Sequence, residues 1–264
     1  MYWDGYLKSV LDTAKTAVQK DWDMVFCIDG TEGGGKSVFA QQIAYYCDPT
    51  ININRVTFTP EEFIEAVKHA NKYEAVIFDE GYTGLSSRGA MTEINRAIVE
   101  MLAEIRQKNL FIIIVVPSFF DLDRYVALHR SRALLHIYTN NGFERGYFMF
   151  FNKERKQTLY LLGKKTYNYN CVKSNFHGRF GKGYVVDEDS YRQKKTNSLM
   201  VKKINKKRED KVDNAVKQKW LFNRLMELDI RITNEDKAKL IGIAISTYYK
   251  WLDEYNTVEI SKPV

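Results

Sequence analysis

Cysteine and histidine are scarce in this chain of 264 residues, and the few present are scattered. Cys27, Cys47 and Cys171 stand apart from one another, as do His69, His129, His136 and His177. This spacing offers neither a disulfide framework nor a His/Cys metal cage. Long apolar runs are also missing: the longest, Leu110 to Val116, has seven residues, far below the roughly 18 needed to cross a bilayer. Met1 to Lys20 is amphipathic, with Trp3, Tyr6, Leu7, Val10, Leu11, Ala14 and Val18 spread through it, and reads as neither a signal peptide nor a span. The expectation is a cytoplasmic protein with no membrane partner. The length accommodates one large α/β core and a small appendage.

Glycine is concentrated at one place. Gly30-Thr31-Glu32-Gly33-Gly34-Gly35-Lys36-Ser37 follows the apolar run Met24 to Ile28 and opens a predicted helix from Ser37 through Val38 to Tyr46. Strand, glycine-rich loop and helix in this order form a phosphate-binding loop. Small residues let backbone N–H groups converge on phosphate oxygens, Lys36 reaches the β/γ oxygens, and the Ser37 hydroxyl ligates Mg²⁺. The positive end of the helix dipole faces the anion. ATP and Mg²⁺ are the expected cofactors, with residues 30–38 as the binding segment.

A second apolar run, Ala75 to Phe78, ends in Asp79-Glu80, the pattern of a buried parallel strand whose carboxyl end emerges beside the loop. Asp79 is the expected holder of the Mg²⁺ shell, and Glu80 the group that polarises the attacking water. The third run, Leu110 to Val116, fits a central strand with polar Ser118 just beyond its end. Between these runs, Met91 to Lys108 carries Ile94, Ile98, Met101, Leu102 and Ile105 on one helical face. A short helix follows Asp121, then a strand from Ala133 to Tyr138. Arg130 and Arg132 precede that strand, where the resemblance to ring-forming ATPases given below implies an arginine finger acting across a subunit boundary. They read equally well as solvated helix-end charges, and Arg88, Arg96, Arg106 and Arg124 are rivals.

Charge is unevenly divided. Residues 1–150 carry 15 basic against 19 acidic side chains, and residues 151–264 carry 25 against 14. The densest basic stretch, Arg192 to Lys211, includes Lys202, Lys203, Lys206 and Lys207. It suits either a solvated linker or a nucleic-acid contact. Beyond it, Asp213 to Asp229, Asn234 to Ile241 and Ser246 to Tyr255 read as three helices, with Ala238, Gly242, Ile245 and Trp251 placed as in a helix-turn-helix. Ser246, Thr247, Tyr248 and Lys250 would then open the recognition helix in the major groove; a protein-docking tail is the alternative. Tyr147 to Phe151 and Thr158 to Leu162 read as a β-hairpin. Tyr167 to Tyr184 is aromatic, basic and glycine-punctuated, suited to a sugar-phosphate backbone or a subunit interface. Asp187-Glu188-Asp189 raises a metal-dependent nuclease, but no strand-borne carboxylates stand near it. The expected division is an amphipathic helix at 1–21, the ATPase core with its hairpin at 22–163, a basic aromatic linker at 164–211 and a helical domain at 212–264.

Residues 22–140, on the phosphate loop, Asp79-Glu80 and the polar-ended strand at Ser118, resemble the additional-strand, catalytic-glutamate branch of the P-loop NTPases. Within it they resemble the ATPase cores of DNA-pumping motors: terminase-type packaging ATPases, FtsK/HerA translocases and the Zot-like proteins of filamentous phages. The resemblance implies a RecA-like α/β core with a mostly parallel sheet, ATP hydrolysis, assembly into a homo-oligomeric ring on duplex DNA, and a viral portal as a motor partner. No set of spaced acidic strands follows residue 140, which sets this chain apart from terminases with a nuclease. Two function classes remain: a double-stranded DNA packaging or translocating motor, and a DNA-bound ATP switch such as a helicase loader or transposition regulator. Export at a membrane ranks third. Glu80→Gln preserves shape but not basicity, so nucleotide binding is expected to persist while phosphate release, measured under saturating ATP, falls about 10²-fold or more. Full turnover in this variant would remove Glu80 from the base role.

Overall fold

The computed structural model describes residues 2–79, 98–99, 108–140, 143–228 and 232–260. Two compact units divide the chain, Met1–Leu199 and Met200–Val264. Most of the predicted helix at Met91 to Lys108, and Glu80 itself, lie outside the described residues.

The first unit is built on a seven-stranded sheet in the order β2-β3-β4-β1-β5-β6-β7. Its strands are β1 (Met24–Gly30), β2 (Val56–Thr57), β3 (Ala75–Asp79), β4 (Phe111–Val115), β5 (Ala133–Asn140), β6 (Glu144–Phe151) and β7 (Phe176–Arg179). The five from β2 to β5 run parallel, and β6 and β7 extend the edge in antiparallel pairing. Every residue of β3 and β4 is buried, which explains why these strands read as continuous apolar runs: a parallel strand covered on both faces has no solvent side on which to alternate.

Alternation nevertheless sorts the side chains. Phe26 and Ile28 of β1 join α1 (Gly5–Gln19) and α2 (Lys36–Cys47) on one face. Val25 and Cys27 point to the other face, toward α3 (Pro60–His69) and α4 (Lys153–Gly163). Helix α1 covers its face with Leu7, Leu11, Ala14 and Val18, and is opened by Asp4, whose side chain accepts from Leu7 N at 3.0 Å.

The expected hairpin is displaced. β5 and β6 form an antiparallel pair, but Thr158 to Leu162, expected as its partner strand, lies in α4. Asn152 caps that helix by accepting from Arg155 N at 3.0 Å, and Lys156, Leu159, Tyr160 and Gly163 form the buried stripe, spaced for a helix. Leu161 and Leu162 are left exposed. Residues 164–199, expected as linker, belong to the first unit. They supply β7, and Gly181 and Gly183 carbonyls accept from Gln42 Nε2 at 2.9 and 3.1 Å, fastening this segment to α2. Helix α5 (Glu188–Glu227) begins 25 residues before the predicted Asp213.

The second unit packs Phe222 and Leu225 of α5 against Ala238 and Ile241 of α6 (Asn234–Ile241) and Tyr248 of α7 (Ile245–Ile260). Gly242 ends α6 in the left-handed conformation, φ +76°, as a helix-ending turn requires. No helix among the described residues is long and apolar enough to cross a membrane.

Lys156 is an unusual core residue, wholly buried under a π-helical turn at Val126–Arg130. Its ammonium donates to Ala127 O and Leu128 O, two carbonyls at that turn. Burial pushes its pKa down to about 8 from the ordinary 10.5. The unfolded chain therefore binds more protons than the folded one between these values, and this group's contribution to stability rises with pH across the window of about 8 to 10.5. Relative to Lys156→Met, the unaltered protein should gain unfolding free energy as pH is raised from 8 to 10.5 in denaturant titrations. A constant difference would show that Lys156 titrates normally.

Candidate nucleotide-binding site

The phosphate loop leaves β1 at Gly30 and enters α2 at Lys36, as expected. Two glycines are required by geometry. Gly30 has φ +122°, and a Cβ there would overlap the Ile137 carbonyl of β5; Gly35 has φ +101° and caps α2 from the left-handed region, its open side closed by the Phe180 ring. Thr31 N donates to Ile137 O at 3.1 Å and Gly34 N to Thr31 O at 3.1 Å. Lys36 Nζ lies across the loop and donates to Gly30 O at 2.6 Å and Thr31 O at 3.1 Å. Burial lowers its pKa, while Asp29, Glu32 and Asp79 oppose that shift.

Strand β4 lies between β1 and β3, and Asp79 ends β3 on the α2 side of the sheet, in register with Val115. Asp79 is 2 % exposed, so its carboxylate needs partners. Tyr191, from the first turn of α5, donates its hydroxyl to Asp79 Oδ2 at 2.6 Å. Lys195 Nζ reaches the Tyr191 hydroxyl at 3.2 Å and stands 3.8 Å from Asp79 Oδ1. Burial, then the neighbouring Asp79 charge, push the Tyr191 phenol well above its ordinary pKa.

Above the loop opens a cavity of about 960 Å³, lined by residues 32–38 and Asp79 and, from the far side, by Arg145, Arg179, Lys182, Arg192 and Lys195. Loop amides, a helix N-terminus and this cationic rim favour an extended polyanion. The donor chemistry suits Mg²⁺: a hydroxyl and a carboxylate are hard oxygen ligands, and this ion keeps waters and takes phosphate oxygens for the rest of its shell.

The other predicted residues lie elsewhere. Ser118 Oγ accepts from Phe120 N at 3.3 Å and shares a 3.1 Å hydrogen bond with the Tyr169 hydroxyl. Tyr169 in turn donates to buried Asp29, which also holds His136 Nδ1 at 2.9 Å. Ser118 thus joins a polar cluster packed behind β1. Arg130 pairs with Asp23 at 2.6 Å, and Arg132 stacks over Trp22 at 4.7 Å. Both precede β5, whose Ala133 aligns with Phe26 while Ile137 aligns with Gly30. Within the first unit they stand at the sheet end opposite the phosphate loop. Lys202, Lys203, Lys206 and Lys207 fall along α5. Ser246 and Lys250 are exposed and Thr247 half-buried. Tyr248 is a correction: it is wholly buried against Phe222, with ring centroids 5.3 Å apart, so it holds the second unit together and presents nothing to DNA. Its neighbour Tyr249 is the exposed tyrosine.

Sequence reasoning does not connect Tyr191 and Lys195 to this site: they are more than a hundred residues from Asp79, and Lys195 stands out only as part of the basic stretch that begins at Arg192. It also missed Arg145, whose only signal was a position next to Gly146. The aromatic, glycine-punctuated segment ending at Tyr184 stands out in the sequence, but its seat on α2 does not.

Fold and site together describe an α/β protein in which a glycine-rich loop joins β1 to α2 at one end of a mostly parallel sheet. No protein-family model matches the chain, and no curated protein matches it. Among solved structures it is similar to the N-terminal domain of zonular occludens toxin from Neisseria meningitidis, at 15 % identity over 65 % of this chain and 98 % of that one, with a TM-score of 0.35.

Two substitutions separate chemistry from architecture. Lys36→Ala should remove most nucleotide affinity, read by titrating a fluorescent ATP analogue, with little change in Tm. Gly30→Ala should cost about 1–3 kcal/mol through backbone strain and overlap, lowering Tm by several degrees. A Gly30→Ala protein with unaltered Tm would contradict the close approach of β5.

Proposed function

We propose that this chain is a Mg²⁺-dependent ATPase of the additional-strand, catalytic-glutamate branch, acting as an oligomeric ring that packages or translocates double-stranded DNA. One observation carries the reading: β4 is interposed between the phosphate-loop strand and the strand ending in Asp79. Asp79 is set apart from β1 by a full strand, and it is followed in sequence by Glu80.

Lys36 and the loop amides bind the triphosphate. Ser37 and Asp79 hold the cation, which when bound neutralises phosphate charge and orients the terminal phosphate. Glu80, directly after Asp79, accepts a proton from the attacking water. Arg145, Arg179 and Lys182 at the cavity rim add positive charge on the phosphate path. Partnership with duplex DNA is supported by the basic excess of residues 151–264 and by the helix-turn-helix spacing of α6, Gly242 and α7, which leaves Ser246 and Lys250 exposed.

The test pairs ATP turnover, with and without duplex DNA, with anisotropy binding across a salt series on the full chain. DNA should stimulate turnover, and affinity should fall steeply with salt. Replacing Lys202, Lys203, Lys206 and Lys207 by Gln should flatten the slope of log affinity against log salt by up to about 0.9 per lysine. Absence of ATP turnover would overturn the enzyme reading. DNA binding indifferent to the four lysines would move the contact elsewhere.

A further inference from the structure

Strand β6 carries one residue more than its partner near its start. Between the pairs Tyr138–Tyr147 and Asn140–Glu144, β5 advances two residues and β6 three. The surplus falls at Arg145–Gly146, and Gly146 takes it up with φ +97°. Such a bulge breaks the alternation of a strand and re-aims a side chain. Gly146 O accepts from Phe180 N at 2.9 Å, and the Phe180 ring lies against Gly35 and stacks on Phe39 at 4.3 Å. The backbone that bears Arg145 is therefore tied to the phosphate loop through Phe180.

The side chain of Arg145 reaches that loop. Its Nη2 stands 3.8 Å from the position a Cβ on Gly33 would take. Lys36 Nζ, the group that in a phosphate loop reaches the β/γ oxygens, lies on Gly30 O and Thr31 O. Both cations thus converge on residues 30–33, the terminal-phosphate side of the loop. Of the three arginines lining the cavity, Arg179 pairs with Glu144 at 3.4 Å and lies over Tyr147, and Arg192 Nε donates to Glu188 at 2.8 Å. Arg145 has no carboxylate partner among the described residues. Its guanidinium is exposed, a permanently charged planar fork of N–H donors that matches phosphate oxygens.

We propose that Arg145 is a catalytic residue acting in cis, its guanidinium placed on the terminal phosphate of a nucleotide held by the loop of the same chain. This rests on the ATPase reading above and gives to the chain's own β6 the role that an arginine finger from a neighbour plays elsewhere. In hydrolysis the water oxygen bonds to the γ-phosphorus while the bond from that phosphorus to the β–γ bridging oxygen breaks. The electron pair of that bond stays on ADP, and the water proton passes to Glu80. Negative charge grows on the phosphoryl and bridging oxygens, where a fixed guanidinium lowers the barrier.

The test compares Arg145→Ala with the unaltered full-length protein in ATP turnover and in binding of fluorescent ATP and ADP analogues. Arg145 is exposed, so Tm should not change. Turnover at saturating ATP should fall about 10²-fold or more. Affinity for the ATP analogue should weaken about tenfold, with affinity for the ADP analogue unchanged. Unchanged turnover in Arg145→Ala overturns the inference, and equal losses of ATP and ADP affinity do so by reducing Arg145 to general charge at the rim. Co-expression of Arg145→Ala with Lys36→Ala separates cis from trans. In cis, every site of a mixed assembly lacks one of the two cations and stays inactive; recovered turnover would show that Arg145 serves a neighbour and overturn the assignment. If the unaltered chain does not hydrolyse ATP, the ATPase reading falls and takes this inference with it. A chain that hydrolyses ATP with no dependence on Arg145 sinks only the present step.

Discussion

Parallel pairing of β1, β4 and β3 sets Ile28, Val115 and Asp79 in one row across the sheet, so the phosphate loop and the carboxylate emerge at the same sheet end. The register is held by side chains buried on both faces of the central strands. A slip of one residue would carry Asp79 from the α2 face into the apolar layer formed by Val76 and Phe78. The cost of burying an unpaired carboxylate there protects the site geometry.

Asp79 nevertheless remains a charge in a nearly closed environment, and its partners come from a distant part of the chain. Tyr191 and Lys195 lie one helical turn apart on α5, and residues 181–186 that lead into that helix are fastened to α2 through Gln41 and Gln42. The β6 and β7 extension is therefore part of the machinery. It brings Arg145 and Arg179 to the cavity and ends in the turn that seats Phe180 against Gly35.

The legible parts of this chain were those in which one local rule decides the structure. The glycine-rich loop, the buried strands β1, β3 and β4, and the two short helices around Gly242 each follow from spacing within a dozen residues. The parts misread were those in which tertiary context chose between periods. Thr158 to Leu162 has the composition of a strand, but Asn152 as a cap and the stripe from Lys156 through Gly163 make it helical. Tyr248 was expected on a binding face because it opens a helix, yet it lies in the second unit's core, where Phe222 of another helix supplies its partner. The place of Arg130 and Arg132 within the chain, residues expected to act across a subunit boundary, was also beyond the reach of local spacing. The register of β5 against β1, which sets them at the far end of the sheet, is a long-range property.

The positive charge of the candidate nucleotide site is likewise assembled over long range. Lys36 is the only cation within the loop, and burial already weakens its hold on a proton. The remaining cations at the cavity, Arg145, Arg179, Lys182, Arg192 and Lys195, all follow β5 in sequence. None of them is in place until β6 and β7 have added to the sheet edge and the start of α5 has docked. Gathering these like charges around one cavity costs repulsion, and a bound polyanion relieves it. Any ligand that binds only the folded form stabilises that form by mass action. On the proposed function, nucleotide binding and integrity of the antiparallel extension are two readings of one equilibrium, and a change that loosens the β6–β7 edge should weaken phosphate binding without touching the loop that bears the motif.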